Sequence, residues 1–411
     1  MSEAVTKTPQ SSAPAKKRFL GVDVARGVAL FAMLAANIYD VVDENGNPTL
    51  AGMTVTGRSA TMFVMVAGIS LAFITGGRHP VRGHLRRATS VGVAVRAVLI
   101  AVIGLSIAYA SPDLEVILPN YGLYFLLAIP LIGLRPRTLA AVAGGLVVVG
   151  PLIILGATAL GLQPVNEDGP TFTDLVTHPL GFLLQLLVTG GFPAVVYLAY
   201  LIAGLAIGRL DLSSTRVATW LFGGGLALAV AAWFASSLLL FNLGGLQHLM
   251  ALAGPGADPA AVRNDILWNA DRVPSWWWLA VRSHHSCTPF DALHSLGVAM
   301  AILGGVLLIT KLRPARRLLW PVGVAGAMTL TIYSAHALVL GSGLFGNRPN
   351  ALYAVTVAGA LIFAVVWRRL FGQGPLERIV SAVSARARRA AMSWQWLTPR
   401  GRGQRVGSPS A

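Results

Sequence analysis

Residues able to transfer protons or bind anions stand inside strongly apolar stretches of this chain. The segment DVARGVALFAMLAANIYD carries Asp23, Arg26 and Asn37 at spacings of three and eleven residues, which place them on one helical face. Arg26 and Asn37 would lie ~16 Å apart along the helix axis. Charged groups are costly in hydrocarbon, so their presence in an apolar segment indicates a functional or structural role. Asp23 and Arg26 either form a mutual ion pair that caps the helix or bind an anionic ligand.

Further polar side chains open or interrupt other apolar runs. Arg58 opens the second run, and Asp291 and His294 open a later one, a single helical turn apart. His285 precedes that run, and His336 lies inside the next. These residues match Asn37 in predicted depth, so we expect all six to converge on one polar pocket. Two alternatives are structural: Arg58 snorkels to the surface, and Asp291 with His294 forms a surface pair.

The elements that must position these residues are membrane helices. Only 12% of the 411 residues are charged, against about 25% in soluble proteins. Apolar runs of about 20 residues recur along the chain, which predicts an all-α, polytopic membrane bundle. Ten spans are expected, at 19–39, 57–75, 91–110, 117–134, 138–160, 190–208, 217–241, 291–310, 320–341 and 351–369.

Basic residues are distributed asymmetrically between the connecting segments. With the N-terminus inside, the inner segments hold 25 of the 32 Lys and Arg residues, and the outer segments hold eleven of the 16 acids. The positive-inside rule therefore predicts that both termini are cytoplasmic. It also accounts for the net charge of +16 without nucleic-acid binding. Arginine outnumbers lysine 28 to 4, which is typical of a GC-rich bacterial genome, so we expect a multi-pass protein of a bacterial plasma membrane.

Three regions follow from these boundaries. Residues 1–18 are expected to be a disordered cytoplasmic tail, 19–370 the membrane domain, and 371–411 a basic cytoplasmic tail that associates with the membrane surface. The longest outer loop, 242–290, carries three tryptophans at 276–278 that suit a membrane-interface belt. Segment 178–189 is expected to be interfacial or re-entrant. A single cysteine, Cys287, excludes a disulfide within the chain.

Four stretches resemble one superfamily. RFLGVDVARGVALFAMLAAN is similar to the first-span signature of the transmembrane acyltransferases: aspartate, two residues, arginine-glycine, an apolar run and a polar residue. GRSATMFVMVAGISLAF, SHHSCTPFDALHSLGVAMAILG and AGAMTLTIYSAHALVL resemble later spans of bacterial members of the heparan-alpha-glucosaminide N-acetyltransferase-like and domain-of-unknown-function 418 type. One departure concerns position 37, where the acyltransferase-three branch usually has histidine and this chain has asparagine.

The resemblance implies transfer of an acyl group, often acetyl, from cytoplasmic acyl-coenzyme A to a sugar or glycolipid acceptor on the far side. Arg26, beside Asp23, would bind the coenzyme phosphates together with the basic stretch that contains Arg82, Arg86 and Arg87. At the outer pocket, a neutral histidine would deprotonate the acceptor, with His336, His294 and His285 left open as the base. Asp291 would orient His294, and Arg58 or Asn37 would hydrogen-bond the oxyanion.

Two other function classes stay open. A ten-span protein with a polar pocket and Gly- and Pro-broken segments also suits a transporter or lipid flippase. A non-catalytic partner in an envelope complex is the third possibility. The expected partners are membrane lipid and an envelope glycan or glycolipid acceptor, and the sequence contains no metal-ligand spacing.

Overall fold

The computed structural model describes residues 19–43, 47–111, 114–254, 257–269, 272–344 and 348–393. These residues form helices and one isolated β-bridge, between Val42 and Pro48. The helices are α1 Leu20–Ile38, α2 Leu50–Thr54, α3 Arg58–Ile74, α4 Gly83–Ala108, α5 Leu118–Ala128, α6 Pro136–Ala159, α7 Phe172–Thr177, α8 Pro179–Leu184, α9 Ala194–Ile207, α10 Thr215–Ser237, α11 Gly245–Ala251, α12 Pro259–Trp268, α13 Pro289–Ile309, α14 Arg313–Leu318, α15 Trp320–Gly326, α16 Thr329–Gly341, α17 Pro349–Leu370 and α18 Pro375–Ser393. The all-α membrane bundle predicted from the sequence is confirmed.

Seven of the described helices are long and apolar enough to cross a membrane by themselves. Two further spans are each broken in two: Pro179–Thr189 with α9, bent by 58°, and α15 with α16, bent by 80°. This gives up to nine spans in the described part of the chain. The remaining predicted span, 117–134, corresponds to the shorter apolar helix Leu118–Leu131.

The bundle has two ends, the basic face and the loop face. The basic face is the end at which α1 begins, α3 ends and α4 begins. The loop face is the opposite end, at which α1 ends and α3 and α13 begin. Burial shows which helices are central: 72% of the α3 span is buried, against 17% of α17. Because α3 packs against α1, α9 and α13, residues on α3 can contact side chains from three other spans.

The crossing of α3 and α9 depends on two glycines that face each other. A Cβ atom on Gly68 would lie 2.0 Å from the Leu201 carbonyl oxygen, and one on Gly204 would lie 1.9 Å from that of Met65. Both neighbours are backbone atoms, so the helices could admit a methyl group only by moving apart. Small residues permit this close packing between membrane helices.

Gly68→Ala is therefore expected to lower the free energy of unfolding by about 1–3 kcal/mol, the usual cost of overpacking. Gly144→Ala on α6 is the matched control, because a Cβ there meets nothing within 4 Å. Thermal unfolding in detergent measures both variants. Equal unfolding temperatures for Gly68→Ala and the control would contradict the crossing.

The C-terminal segment does more than the basic surface tail expected from its sequence. Helix α18 packs along α4 and reaches α16. Its Glu377 carboxylate accepts hydrogen bonds from the Thr331 N–H at 3.1 Å and the Thr331 hydroxyl at 2.6 Å. Because the break before α16 exposes new backbone N–H groups, this carboxylate caps them. Residues 394–411 lie outside the described residues.

The long loop at 242–290 folds into a small layer over the loop face. Helices α11 and α12 and a turn of 3₁₀ helix at Trp276–Ala280 share their own apolar cluster, which includes Leu246, Ile266 and Trp278. Trp278 is 2% exposed, whereas Trp276 is 74% exposed. The expected belt of three interfacial tryptophans is thus wrong for Trp278, which packs inside the layer.

Candidate active site

A cavity of about 170 Å³ lies between α1, α3, α4, α5, α16 and α18. We call it the basic-face cavity. Its polar lining consists of Arg26, Ser70, Arg96, Tyr121, Thr329, Tyr333 and Glu377, and its apolar lining includes Phe63, Ile100, Leu118 and Phe125. A wider opening of about 750 Å³, here named the vestibule, shares Arg26, Ile74 and Ala327 with it and continues past Asp23, Gly76 and Gly77.

Arg26 is held rigidly at the junction of cavity and vestibule. Its Nη1 donates to Asp23 Oδ1 at 2.9 Å and to the Gly326 carbonyl at 3.1 Å, and its Nη2 donates to Ser70 Oγ at 2.6 Å. The ion pair with Asp23, one of the two alternatives from the sequence, is therefore formed. Arg26 nevertheless lines the cavity, so the pair positions the guanidinium group and does not hide it.

Arg96 is the second cation in this cavity, and the sequence reasoning missed it. It lies in the interior of α4, where its positive charge interacts with Arg26 and Glu377. Arg96 has no hydrogen-bond partner among the residues that the structure describes. Its position could have identified it from the sequence, since an arginine deep inside a predicted span is a functional candidate.

The predicted coenzyme-binding arginines near the start of α4 lie elsewhere. Arg82 and Arg87 are exposed on the basic face, and Arg86 Nη2 donates to the Pro130 carbonyl at 2.8 Å. None of these three side chains lines the cavity or the vestibule. The helix explains this: α4 begins at Gly83, so nine or more residues separate these arginines from Arg96, and only the later part of α4 borders the cavity.

On the loop face, Asp291 is buried beneath two arginines. Its carboxylate accepts from the Cys287 N–H at 3.2 Å and from Ser295 Oγ at 3.1 Å. Arg58 and Arg282 both interact electrostatically with it. Asp291 therefore balances positive charge at the start of α13.

The expected pairing of Asp291 with His294 is wrong. His294 Nδ1 lies 3.0 Å from the Ala229 carbonyl oxygen on α10. Although the two residues are one turn apart, His294 lies against α10 and Asp291 turns toward its own N-terminal loop. The hydrogen bond to α10 fixes the imidazole at a helix interface, where the charges of Arg282 and Arg58 still act on it.

His285 occupies a different pocket. Its Nδ1 is 3.0 Å from the Tyr197 hydroxyl, and its ring meets Phe192 edge-on at 5.1 Å. The backbone φ angles of His285 and Cys287 are 58° and 56°, in the left-handed region that non-glycine residues rarely adopt. Such conformations cluster at functional sites.

Glu115, which the sequence reasoning also missed, faces His285 across this pocket. The Glu115 pocket has a volume of about 440 Å³ and is also lined by Gln185, Gly191 and Arg272. Glu115 Oε1 accepts from the Gly191 N–H at 2.9 Å. Burial raises the pKa of Glu115 from 4.5 to about 7, against the opposing effects of the Gly191 N–H and Arg272. A carboxyl group with this pKa can accept or donate a proton at neutral pH.

The raised pKa of Glu115 makes stability depend on pH. Between pH 4.5 and about 7 the folded state holds a proton that the unfolded state has lost, so the free energy of unfolding falls as pH rises through this window. Glu115→Gln should flatten that slope, by about 3 kcal/mol over the window, and stabilise the protein at pH 8. Unfolding temperatures at pH 5, 6.5 and 8 measure this. Parallel profiles for wild type and variant would show that Glu115 does not carry the proton.

His336 and Asn37 are the two site candidates with unmet hydrogen-bonding capacity. His336 is 1% exposed, and both its ring nitrogens lack a partner among the described residues. Asn37 Nδ2 is likewise buried and unpaired. His336 follows Tyr333 of the basic-face cavity by one turn of α16, and α16 packs against α1, which carries Asn37.

The six predicted pocket residues therefore do not share a single pocket. Arg58 lies beside one loop-face cavity and His285 beside another, while His294 contacts α10. A layer of aromatic rings separates the Glu115 pocket from the basic-face cavity: neighbouring centroids in the series Phe63, Tyr121, Tyr124, Tyr197 and Phe192 lie 5.5–6.2 Å apart. We call these five rings the aromatic layer.

Comparisons with known proteins agree with the motifs. Residues 18–244, more than half of the chain, match the family model described as "Heparan-alpha-glucosaminide N-acetyltransferase, catalytic". Residues 266–386 match a second family model, described as "Protein of unknown function (DUF418)". No curated protein matches the chain at significant similarity. Together the two matches include residues of both the basic face and the loop face. The chain belongs to the membrane acyltransferase family of the heparan-alpha-glucosaminide N-acetyltransferase-like type.

Proposed function

We propose that this protein is a membrane acetyltransferase that takes its acyl group from cytoplasmic acyl-coenzyme A and delivers it to a sugar or glycolipid on the opposite side of the membrane. The observation that carries the proposal is the pair of arginines, Arg26 and Arg96, in one narrow cavity that opens through a wider vestibule. The excess of Lys and Arg at this face supports a cytoplasmic orientation.

The shape of the cavity suits coenzyme A. The vestibule is wide enough for a charged nucleotide, and Arg26 at its inner end would bind phosphate. Beyond Arg26 the cavity narrows and its walls become apolar, with Phe63, Ile100 and Leu118. A pantetheine arm is slender and carries two amides, which matches an apolar channel with a few polar groups.

His336 is the best supported of the three candidate bases. Its unpaired ring nitrogens can accept a proton, and it lies one turn beyond the cavity residue Tyr333. In the proposed step an acceptor hydroxyl or amine attacks the thioester carbonyl carbon and gives its proton to His336. The carbon–sulfur bond then breaks, the coenzyme leaves as a thiolate, and the proton on His336 returns to that sulfur. The Asn37 amide would donate to the oxyanion.

The aromatic layer must open for this transfer. Tyr121 and Tyr333 line the basic-face cavity, and Tyr121 also belongs to the aromatic layer. The Tyr121 hydroxyl is buried without a partner among the described residues. Rotation of Tyr121 and of the neighbouring rings Tyr124 and Tyr197 would connect the thioester with the Glu115 pocket, where an acceptor would bind.

The decisive experiment measures acetyl transfer and binding together. Purified protein should be stabilised by coenzyme A, by about 2.7 kcal/mol at a hundred times the dissociation constant. It should also transfer radiolabelled acetyl groups from acetyl-coenzyme A to membrane glycans. His336→Ala should lower the transfer rate by about 10²–10⁴-fold without loss of coenzyme binding. His79→Ala, an exposed histidine of the basic face, is the control. Absence of stabilisation by any acyl-coenzyme A would reject the proposal.

A transporter is the second candidate, and the two broken spans favour it. Helices interrupted within the membrane, here with bends of 58° and 80°, form substrate sites in many transporters. The same purified protein in proteoliposomes would then move a glycan or lipid substrate without coenzyme A. Flux that persists in Arg96→Gln would favour this candidate, since transport needs no coenzyme site.

A further inference from the structure

A second cationic cavity lies at the loop face, between α3, α10 and α12. It has a volume of about 110 Å³, and we call it the arginine pocket. Its polar lining consists of Arg58, Ser236, Ser237, Arg282, Ser283 and His284. Neither the family match nor the proposed acyl-donor site accounts for these groups.

The donors of this pocket are incompletely used. Arg58 Nη1 donates to the Met53 carbonyl at 2.6 Å. Arg282 Nε and Ser283 Oγ are buried and have no partner among the described residues. A buried donor without an acceptor destabilises the folded protein, so an anion whose oxygens accept from these groups would recover that free energy. Phosphate oxygens are the acceptors that guanidinium groups bind best.

The charge balance also favours an anion. Asp291 interacts with both Arg58 and Arg282, which leaves one positive charge among the three groups. The guanidinium groups repel each other, because each is held near the other in a buried place. A monoester or diester phosphate would remove this repulsion.

The remaining wall identifies the kind of molecule that carries the anion. Apart from Gly52, it consists of Leu240, Phe241, Leu267 and Trp268. Phe241 is 54% exposed, and it continues the outward surface of α10, on which Trp233 and Phe234 are also exposed. An apolar strip of a membrane helix that faces outward contacts lipid chains, so a ligand in this pocket can keep its chain in the membrane. A soluble phosphate would not use this strip.

We propose that the arginine pocket binds the phosphate of a lipid-linked molecule, with the lipid chain along α10. The Glu115 pocket lies next to the arginine pocket, and this determines where a group attached to the bound phosphate would extend. His284 lines the arginine pocket, His285 lines the Glu115 pocket, and their rings are 5.7 Å apart. A sugar attached to the bound phosphate would therefore extend toward the Glu115 pocket. If this sugar is the acetyl acceptor, the acceptor is a lipid-phosphate-linked glycan; this assignment rests on the proposed function.

The test measures binding in the absence of any acyl-coenzyme A. Thermal unfolding in detergent micelles is followed with dioleoyl phosphatidic acid, dioleoylglycerol or inorganic phosphate at equal concentrations. Phosphatidic acid should raise the unfolding temperature, and the other two should not reproduce the shift. Arg282→Gln should weaken the apparent affinity for phosphatidic acid by about tenfold or more, since it loses a charged hydrogen bond. Arg263→Gln, an exposed arginine of α12, should leave the affinity unchanged.

Several results would overturn the inference. They are an equal shift with dioleoylglycerol, an equal shift with inorganic phosphate, or unchanged affinity in Arg282→Gln. If Arg282→Gln does not fold, Arg282→Lys and Ser283→Ala replace it, and unchanged affinity in both would be equally adverse. Stabilisation by coenzyme A is measured in parallel to separate the two proposals. If coenzyme A stabilises the protein but phosphatidic acid does not, only the proposal for the arginine pocket is rejected.

Discussion

Arg96→Gln is expected to raise the dissociation constant of coenzyme A by about ten- to a hundredfold, because a hydrogen bond to a charged group contributes about 1.5–3 kcal/mol. The variant should fold as well as wild type. Arg96 has no hydrogen-bond partner to lose among the described residues, and the repulsion from Arg26 that its removal relieves offsets the lost attraction to Glu377. Affinity is measured by titration of the thermal unfolding shift with coenzyme A.

Arg87→Gln is the control for Arg96, and it separates two views of the donor site. Both residues lie on α4, but Arg87 is exposed and does not line the cavity. The sequence-based hypothesis places Arg87 at the coenzyme phosphates together with Arg26, whereas the proposed donor site combines Arg26 with Arg96 and leaves Arg87 out. A large loss of affinity in Arg87→Gln, with none in Arg96→Gln, would restore the sequence-based site and reject the cavity.

Asp291→Ala is expected to lower the free energy of unfolding by about 3–5 kcal/mol, because two buried hydrogen bonds to a carboxylate are lost and each contributes about 1.5–3 kcal/mol. Removal of the carboxylate leaves the positive charges of Arg58 and Arg282 unbalanced. It also takes away the acceptor for the Cys287 N–H and for Ser295 Oγ. Thermal unfolding in detergent measures the loss.

Two companion variants test the cause of that loss. Asp168→Ala removes an exposed carboxyl group from the loop face and should change the unfolding free energy by less than about 0.5 kcal/mol. Asp291→Asn keeps an acceptor oxygen without the charge, so its cost should lie between those of the other two variants. A loss in Asp291→Ala no greater than in Asp168→Ala would mean that the arginines are balanced by other groups.

The regular part of the fold was predictable because its cause is local. An apolar run of about 20 residues must be helical in hydrocarbon, since each backbone polar group needs a partner within the segment. This reasoning located α1, α3, α13 and α17 to within a few residues. It also anticipated the broken segment before α9, since Gly190, Gly191 and Pro193 cannot continue a helix there.

The break between α15 and α16 was not predictable in the same way. The sequence from 320 to 341 reads as one continuous apolar span, and yet the chain bends by 80° at its middle. The bend is compensated by Glu377, 46 residues later, whose carboxylate caps α16. No local pattern in the span can reveal a cap that a distant helix supplies.

The sequence by itself determined that this is a helical membrane protein of the transmembrane acyltransferase type, with Arg26, Asn37 and His336 in apolar surroundings. Only the tertiary structure decided which side chains meet. It joined Arg96 to Arg26, Glu115 to His285, and Arg282 to Arg58, and it turned His294 away from Asp291. The physical reason is that helical periodicity fixes the depth and the face of a residue along its own helix, whereas its partners depend on which helices pack together and how each is rotated.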